Sequence, residues 1–167
     1  VDTADYVTVI AVLESIAVIE PTEAIALCQT QVAQHRQQQD QARVAMSLQV
    51  LGRVFTVAGD LSGALAALTE SLALWQQLGI LWSVEGGTSR TCWDLTRVHH
   101  LRQGYQTAIS YAQKAVQHYQ QAGDLRGVAN AYMALGYPAL ASDDLRLALS
   151  SFQQSLQLAM GKDLDCT

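Results

Sequence analysis

The chain repeats a short pattern at intervals of 40 to 44 residues, and this periodicity limits the folds open to it more than any other feature. The pair Leu51-Gly52 has a counterpart 44 residues later in Leu95-Thr96, and another after a further 40 residues in Leu135-Gly136. A second matching segment follows each pair, at 59–65, 103–109 and 143–149. A period of this length is typical of arrays in which each repeat is one supersecondary unit that buries its apolar face against its neighbours.

The second half of each repeat carries a triplet of residues at spacings of four and three. The first and last residues of the triplet are small, and the middle residue is large in all but the third repeat, where it is alanine. The triplets are Ala64, Leu68 and Ser71; Ala108, Ala112 and Ala115; and Ala148, Phe152 and Ser155. Such spacings keep side chains on one helical face, where small residues let a neighbouring helix approach closely. Alanine, leucine and glutamine dominate the composition and only two prolines occur, which favours helices throughout. The sequence therefore predicts an all-α chain of eight helices in four antiparallel hairpins, near 4–19 and 22–38, 41–58 and 61–78, 88–102 and 105–121, and 126–141 and 145–160.

The succession of Leu-Gly, an aromatic residue, Gly-Asp and Ala-x3-large-x2-small resembles the tetratricopeptide repeat (TPR), in its long-helix variant of about 40 residues. The segment 123–136 is the clearest match, and 42–79 follows it closely with Phe55 at the aromatic position. The resemblance implies a TPR-like α-solenoid, a right-handed superhelix of four hairpins in a single domain over 1–167. It places the repeats at 1–39, which is degenerate, 40–79, 80–123, which carries an insertion, and 124–162.

The third repeat carries four extra residues, which include Glu85-Gly86-Gly87. Two adjacent glycines cost about 1 kcal/mol each in a helix relative to alanine, so the helix is expected to restart at Thr88 or Ser89, either of which can cap it. The lengthened connection is interpreted either as a bulge that contacts a partner or as a harmless insertion. Its candidate contact residues are Ile80, Leu81 and Trp82.

The fourth repeat contains a proline near the end of its first helix. Pro138 lacks an N–H and removes one hydrogen bond to the carbonyl of Ala134. We therefore expect the helix to kink or to end early at this residue.

In tetratricopeptide arrays the first helix of each hairpin lines a concave groove, and the resemblance places four groove positions around each Leu-Gly pair. These positions are Tyr6, Val9, Leu13 and Ile16; Met46, Gln49, Arg53 and Thr56; Arg90, Trp93, Arg97 and His100; and Asn130, Met133, Tyr137 and Leu140. The candidate peptide-binding residues among them are Gln49, Arg53, Arg90, Trp93, Arg97, His100, Asn130 and Tyr137. Arginine, tryptophan and tyrosine dominate interface energetics, and arginine offers a bidentate fork to carboxylates. The stripe favours an acidic or C-terminal peptide with an apolar anchor.

The arginines of this stripe have a second interpretation, in which they form ion pairs within the array with Asp94, Glu85 or Asp124. One tetratricopeptide subfamily clamps the carboxylate of a chaperone tail with two lysines, two asparagines and an arginine. Because the corresponding positions here have other side chains, that particular ligand is not expected. They hold Met46, Val50, Asp94, Asn130 and Ala134.

The sequence contains no phosphate loop, nucleophile elbow or dinucleotide fingerprint, so we expect no enzymatic activity and no cofactor. Adjacent His99 and His100 point roughly 100° apart on a helix and cannot easily share a metal ion. Cys92 and His99 are two ligands without a third, so we expect no metal site.

Three cysteines without a CxxC motif fit a reducing compartment, which suggests a cytoplasmic protein. A net charge of −5 gives no general attraction to nucleic acid, and no apolar run reaches the ~18 residues needed to span a bilayer.

These observations favour a protein–protein interaction module that binds a peptide or helical segment of a partner in its groove. One alternative is a TPR segment of a larger bacterial signalling or regulatory protein. Another is an assembly factor that holds subunits of a complex through its convex face and the 80–82 connection. The predicted first helix is apolar nearly all round, which leaves a homo-oligomer open.

Overall fold

The computed structural model describes residues 20–80 and 87–161, together with Val12, and over these residues the chain is all-helical with no strand, as the sequence predicts. The predicted helix at 4–19 lies outside the described residues, apart from Val12. The helices are α1 (Pro21–Gln37), α2 (Gln41–Ala58), α3 (Leu61–Gln77), α4 (Thr88–Leu101), α5 (Tyr105–Ala122), α6 (Leu125–Ala141) and α7 (Leu145–Gly161).

The chain divides into two compact units, Val1–Asp94 and Leu95–Thr167. In the first unit α1 packs against α2 and α2 against α3; in the second, α5 packs against α6 and α6 against α7. Helix α4 crosses the division, with 88–94 in the first unit and 95–101 in the second. Within each unit the consecutive helices named above therefore pack in the manner of helical hairpins.

Aspartates fix where several helices begin. The side chains of Asp40, Asp60, Asp124 and Asp144 each accept a hydrogen bond from the amide three residues on, at 2.9 to 3.1 Å. Each carboxylate thus satisfies a donor that the first helical turn leaves unpaired. This chemistry explains why the helices start within one residue of their predicted positions.

Glycine ends two of the helices. Gly59 and Gly123 adopt left-handed conformations with φ of 83° and 71° directly after α2 and α5. This conformation is the usual helix C-terminal signal and is cheapest for glycine. The result is two tight turns, each followed at once by a capping aspartate.

The glycine of each Leu-Gly pair is a close-contact site between the two helices of a hairpin. In the first unit, a Cβ placed on Gly52 of α2 would lie 2.5 Å from Cγ of Leu68 on α3, which is fully buried. In the second unit, a Cβ on Gly136 of α6 would lie 2.4 Å from Cε1 of Phe152 on α7. The glycine and the large residue that follows it by sixteen positions therefore form one packing unit in both hairpins.

Pro138 does not end its helix early, which corrects one of the two expectations for this residue. Helix α6 continues for three residues to Ala141, and the proline ring is buried. The carbonyl of Pro138 accepts a hydrogen bond from the amide of Ser142 at 3.0 Å, so the helical pattern continues past the missing donor. Burial of the ring offsets the lost hydrogen bond.

The connection after α3 is closed at its base. The Ile80 carbonyl accepts hydrogen bonds from the Thr88 amide at 3.1 Å and from the Thr88 hydroxyl at 2.8 Å. Gly87 has a φ of 116°, a region that side chains disfavour, and α4 then begins at Thr88 as expected. Leu81 and Trp82, two of the three candidate contact residues of this connection, lie outside the described residues.

Candidate functional site

Gln49 is not available to a ligand, which corrects its place among the predicted peptide-binding residues. Its side chain is only 2% exposed, and Nε2 donates a hydrogen bond of 2.9 Å to Oδ2 of Asp94. Asp94 is itself buried, and a buried carboxylate is tolerated only when donors or cations compensate its charge. The side-chain amide of Gln49 therefore serves a contact within the first unit.

Arg53 also turns toward Asp94. Its Nε lies 3.8 Å from Oδ1 of Asp94, and its side chain is 14% exposed. This geometry matches the second interpretation of the arginines, namely ion pairing within the array. The geometry of Arg53 therefore supports a structural role beside Asp94 more directly than a role in ligand binding.

The groove positions of α4 are half-buried rather than sealed in a core. Arg90 and Trp93 belong to the first unit, and Nε1 of Trp93 has no hydrogen-bond partner among the described residues. Arg97 and His100 belong to the second unit. Spacings of three and four place these residues along one face of α4, as the sequence predicts.

His100 is held by an aromatic neighbour. Its ring centre lies 5.7 Å from that of Tyr105 at the start of α5, with the planes tilted by 50°. Its Nδ1 is buried and has no hydrogen-bond partner in the described part of the chain. The imidazole ring is therefore positioned by packing against Tyr105 rather than by a hydrogen bond from Nδ1.

The groove positions of α6 are the most accessible. Asn130 is exposed, and Met133, Tyr137 and Leu140 are 40%, 53% and 50% exposed. They follow one another at intervals of three and four, so they form one stripe, which we call the α6 stripe. The ring of Tyr137 packs edge-on against Phe152 at 5.5 Å, which fixes its orientation.

The two units differ in charge. The described part of the second unit carries five Lys and Arg residues, at Arg97, Arg102, Lys114, Arg126 and Arg146, against three aspartates, at Asp124, Asp143 and Asp144. The described part of the first unit carries four arginines and six acidic residues. The unit that bears the α6 stripe is therefore locally basic within an acidic chain.

Burial shifts the pKa values of three side chains outside the predicted groove positions. Burial raises the pKa of the Cys28 thiol to about 11. Burial lowers the pKa of His99, which stacks on Tyr111 at 5.3 Å, and nearby Arg102 lowers it further. Burial and the adjacent Lys114 lower the pKa of His118. These shifts favour the neutral form of all three side chains.

Across residues 20–80 and 87–161, no group of three or more His, Cys, Asp or Glu side chains is placed to hold a metal ion. None of the helices in this part of the chain combines the length and the apolar character that crossing a membrane requires.

Sequence reasoning included Asp94 as an ion-pair partner of the stripe arginines but missed its role as the acceptor for Gln49. A signal was present, because the repeat aligns Asp94 with Val50 and Ala134, two apolar residues. A carboxylate at a position that is apolar in the other repeats requires a polar partner nearby. Sequence reasoning also missed the exposed leucines of α7, because it took candidate binding residues only from the first helix of each hairpin and α7 is a second helix.

No protein-family model and no curated protein matches the sequence. Among solved structures, the chain is similar to the crystal structure of BtubC (BKLC) from P. vanneervenii, with a TM-score of 0.76 and 15% sequence identity. The match covers 86% of this chain and 58% of that chain, so this chain spans little more than half of the length of BtubC. At this identity the likeness shows a shared helical fold alone.

Proposed function

We propose that this chain is a protein–protein interaction module, a TPR-like α-solenoid of four hairpins whose first helices bind a peptide or helical segment of a partner. The observation that supports this most is the α6 stripe. Four side chains of one face, Asn130, Met133, Tyr137 and Leu140, are open to solvent while the opposite face of α6 is buried. The proposed role is non-enzymatic, requires no cofactor, and is placed in the cytoplasm.

The α6 stripe suits a ligand because it combines apolar area with a fixed aromatic ring. Exposed apolar residues are usually scattered singly, whereas contiguous ones often mark interaction sites. The contact between Tyr137 and Phe152 orders the phenol ring before binding, so less conformational entropy is lost when a partner docks. An apolar anchor of the partner would pack between Met133 and Tyr137.

The local charge supports an acidic segment as the ligand. The second unit has an excess of cations, and Arg97 lies half-buried on the groove face of α4. A half-buried guanidinium binds a carboxylate more strongly than a fully solvated one, because screening by water is weaker. We therefore propose an acidic or C-terminal peptide with one apolar anchor residue.

The proposal is tested by selecting ligands from a peptide library displayed on phage, with the 167-residue chain as bait. Selected peptides are then synthesised and their affinities measured by fluorescence anisotropy. We expect the double variant Met133→Glu/Tyr137→Ala to lose at least about tenfold in affinity, equivalent to about 1.4 kcal/mol. A matched control, Leu101→Glu, changes a leucine of similar exposure at the end of α4 and should bind as the unmodified chain does.

The charge of the ligand gives a second test. The variant Arg90→Glu/Arg97→Glu should weaken binding, and added salt should weaken binding to the unmodified chain. Circular dichroism should show unchanged helicity in this variant. Selection of basic or purely apolar peptides, or binding that neither pair of substitutions alters, would refute the proposed groove.

An assembly factor that uses the 80–82 connection remains the second candidate. The Thr88 amide and hydroxyl both donate hydrogen bonds to the Ile80 carbonyl, so the described residues on either side of this connection are held together. A Trp82→Ala change that weakens complex formation, in conditions where the α6 variant does not, would select this candidate.

A further inference from the structure

Helix α7 carries a second exposed apolar stripe, on the side that does not pack against α6. Leu145, Leu149, Leu156 and Met160 are 63%, 60%, 59% and 56% exposed. Their spacings of four, seven and four residues bring them onto one face of the helix. We call this surface the α7 stripe. It is distinct from the α6 stripe and has no part in the proposed peptide-binding function.

The sequence positions of the four residues of the α7 stripe are symmetric about a midpoint. Its midpoint lies between residues 152 and 153, with Leu145 and Met160 equally far from it, and Leu149 and Leu156 likewise. A two-fold axis at that midpoint brings a second α7 alongside in the antiparallel direction. Leu145 then faces Met160 of the second copy, and Leu149 faces Leu156 of the second copy. Self-complementarity of this kind is what an isologous interface requires.

The charge of α7 also suits a second copy. Arg146 is the only charged residue between 145 and 161, so two copies of this helix do not repel each other although the whole chain carries −5. In the antiparallel arrangement Arg146 approaches the last turn of the other α7, which contains no basic residue. The carbonyl end of a helix carries a partial negative charge and attracts a cation.

From the spacing and the charge we infer that α7 pairs with α7 of a second copy of this chain and forms a two-fold symmetric dimer. A helix of 17 residues is about 25 Å long. Such a pair buries on the order of 1,000 Å², which is at the lower limit of specific interfaces. An interface of this size is expected to form only as the protein concentration is raised.

Disulfide cross-linking tests the direction and register of the pair. Two variants, Leu149→Cys and Leu156→Cys, are prepared with Cys166 replaced by serine, while Cys28 and Cys92 are buried. On mild oxidation, the mixture of the two variants should yield a covalent dimer that contains one copy of each, and neither variant should cross-link with itself. In a dimer of either variant alone, the two introduced cysteines are offset by about 10.5 Å along the helix axis, which is too far for a disulfide bond.

A matched control places the cysteine on an exposed face of α5, as Gln113→Cys, and should not cross-link with either variant. Cross-links of position 149 with position 149 would indicate parallel helices and overturn the proposed arrangement. Absence of any cross-link in the mixture would overturn it as well.

Sedimentation velocity between 1 and about 200 μM tests the association itself. The unmodified chain should shift from monomer to dimer over this range, and Leu149→Glu/Leu156→Glu should remain monomeric. The control Leu125→Glu changes an equally exposed leucine on α6 and should dimerise as the unmodified chain does. A chain that stays monomeric at 200 μM refutes the dimer, and the α7 stripe would then be covered by a different protein or by another part of a longer chain.

Discussion

The contact between Gly52 and Leu68 can be tested by a double-mutant cycle, because it couples the two helices of one hairpin through two residues. A Cβ on Gly52 would lie 2.5 Å from Cγ and 2.8 Å from Cδ2 of Leu68. Carbon atoms in favourable contact are about 3.5–4.0 Å apart. The variant Gly52→Ala therefore forces one helix to move or Leu68 to leave its rotamer.

The magnitudes follow from opposing effects. Replacing glycine by alanine inside a helix stabilises it by about 1 kcal/mol, while overpacking of a filled core costs about 1–3 kcal/mol. We therefore expect Gly52→Ala to destabilise the chain by up to about 2 kcal/mol. Because Leu68 is fully buried, Leu68→Ala should cost about 3–4 kcal/mol.

In the double variant the added methyl group occupies part of the space that Leu68 vacates. Gly52→Ala should then stabilise by about 1 kcal/mol in the Leu68→Ala background, as helix propensity alone predicts. The coupling free energy between the two positions is therefore about 1–3 kcal/mol. Urea unfolding, followed by circular dichroism at 222 nm, measures all four free energies of unfolding.

The control variant is Gly161→Ala, since a Cβ at Gly161 meets no atom within 4 Å. Its effect should stay within about 0.5 kcal/mol in either background. If the cycle for Gly52 and Leu68 is additive to within about 0.5 kcal/mol, these residues do not touch, and the close approach of α2 and α3 is refuted.

Three further predictions concern buried polar and titratable groups. Asp94→Ala removes the acceptor of the Gln49 amide and should lower the free energy of unfolding by about 2–4 kcal/mol in urea titrations, whereas a loss below about 0.5 kcal/mol would mean that the buried network is unimportant. With a pKa of about 11, the Cys28 thiol should react with a maleimide at pH 8 only when the chain unfolds, so labelling as fast as that of a free thiol would contradict its burial. His99 and His118 have lowered folded-state pKa values, so the unfolded chain binds more protons and stability should fall as the pH drops below about 6.5. Melting temperatures between pH 8 and pH 5 should show a shallower fall in His99→Gln/His118→Gln, and an unchanged slope would contradict this cause.

The helices could be predicted from the sequence because their ends carry local signals. Asp60 and Asp124 each follow a glycine, and the same dipeptide both ends one helix and caps the next. These interactions involve residues within a few positions of one another, so no knowledge of the tertiary fold is required. Pro138 was harder, since its effect depends on the burial of its ring against other residues.

The candidate site could be predicted only as a face of each helix. Periodicity places Gln49 and Met133 at equivalent positions, yet one is buried and the other is 40% exposed. The difference lies in Asp94, a residue of another helix that draws the Gln49 amide inward. Burial of a surface position thus depends on a contact between residues 45 positions apart, which the repeat pattern does not encode.

The third repeat shows which part of the pattern the fold requires. Where the second and fourth repeats have Gly52 and Gly136 facing Leu68 and Phe152, the third has Thr96 at the glycine position and Ala112 at the position of the large residue. Both Thr96 and Ala112 are buried, and in this repeat the larger of the two side chains lies on the first helix and the smaller on the second. Interiors are packed to near-crystalline density, and a paired exchange that conserves volume costs less than either change alone. We therefore expect the combined volume of these two positions, rather than the glycine itself, to be what the repeat requires.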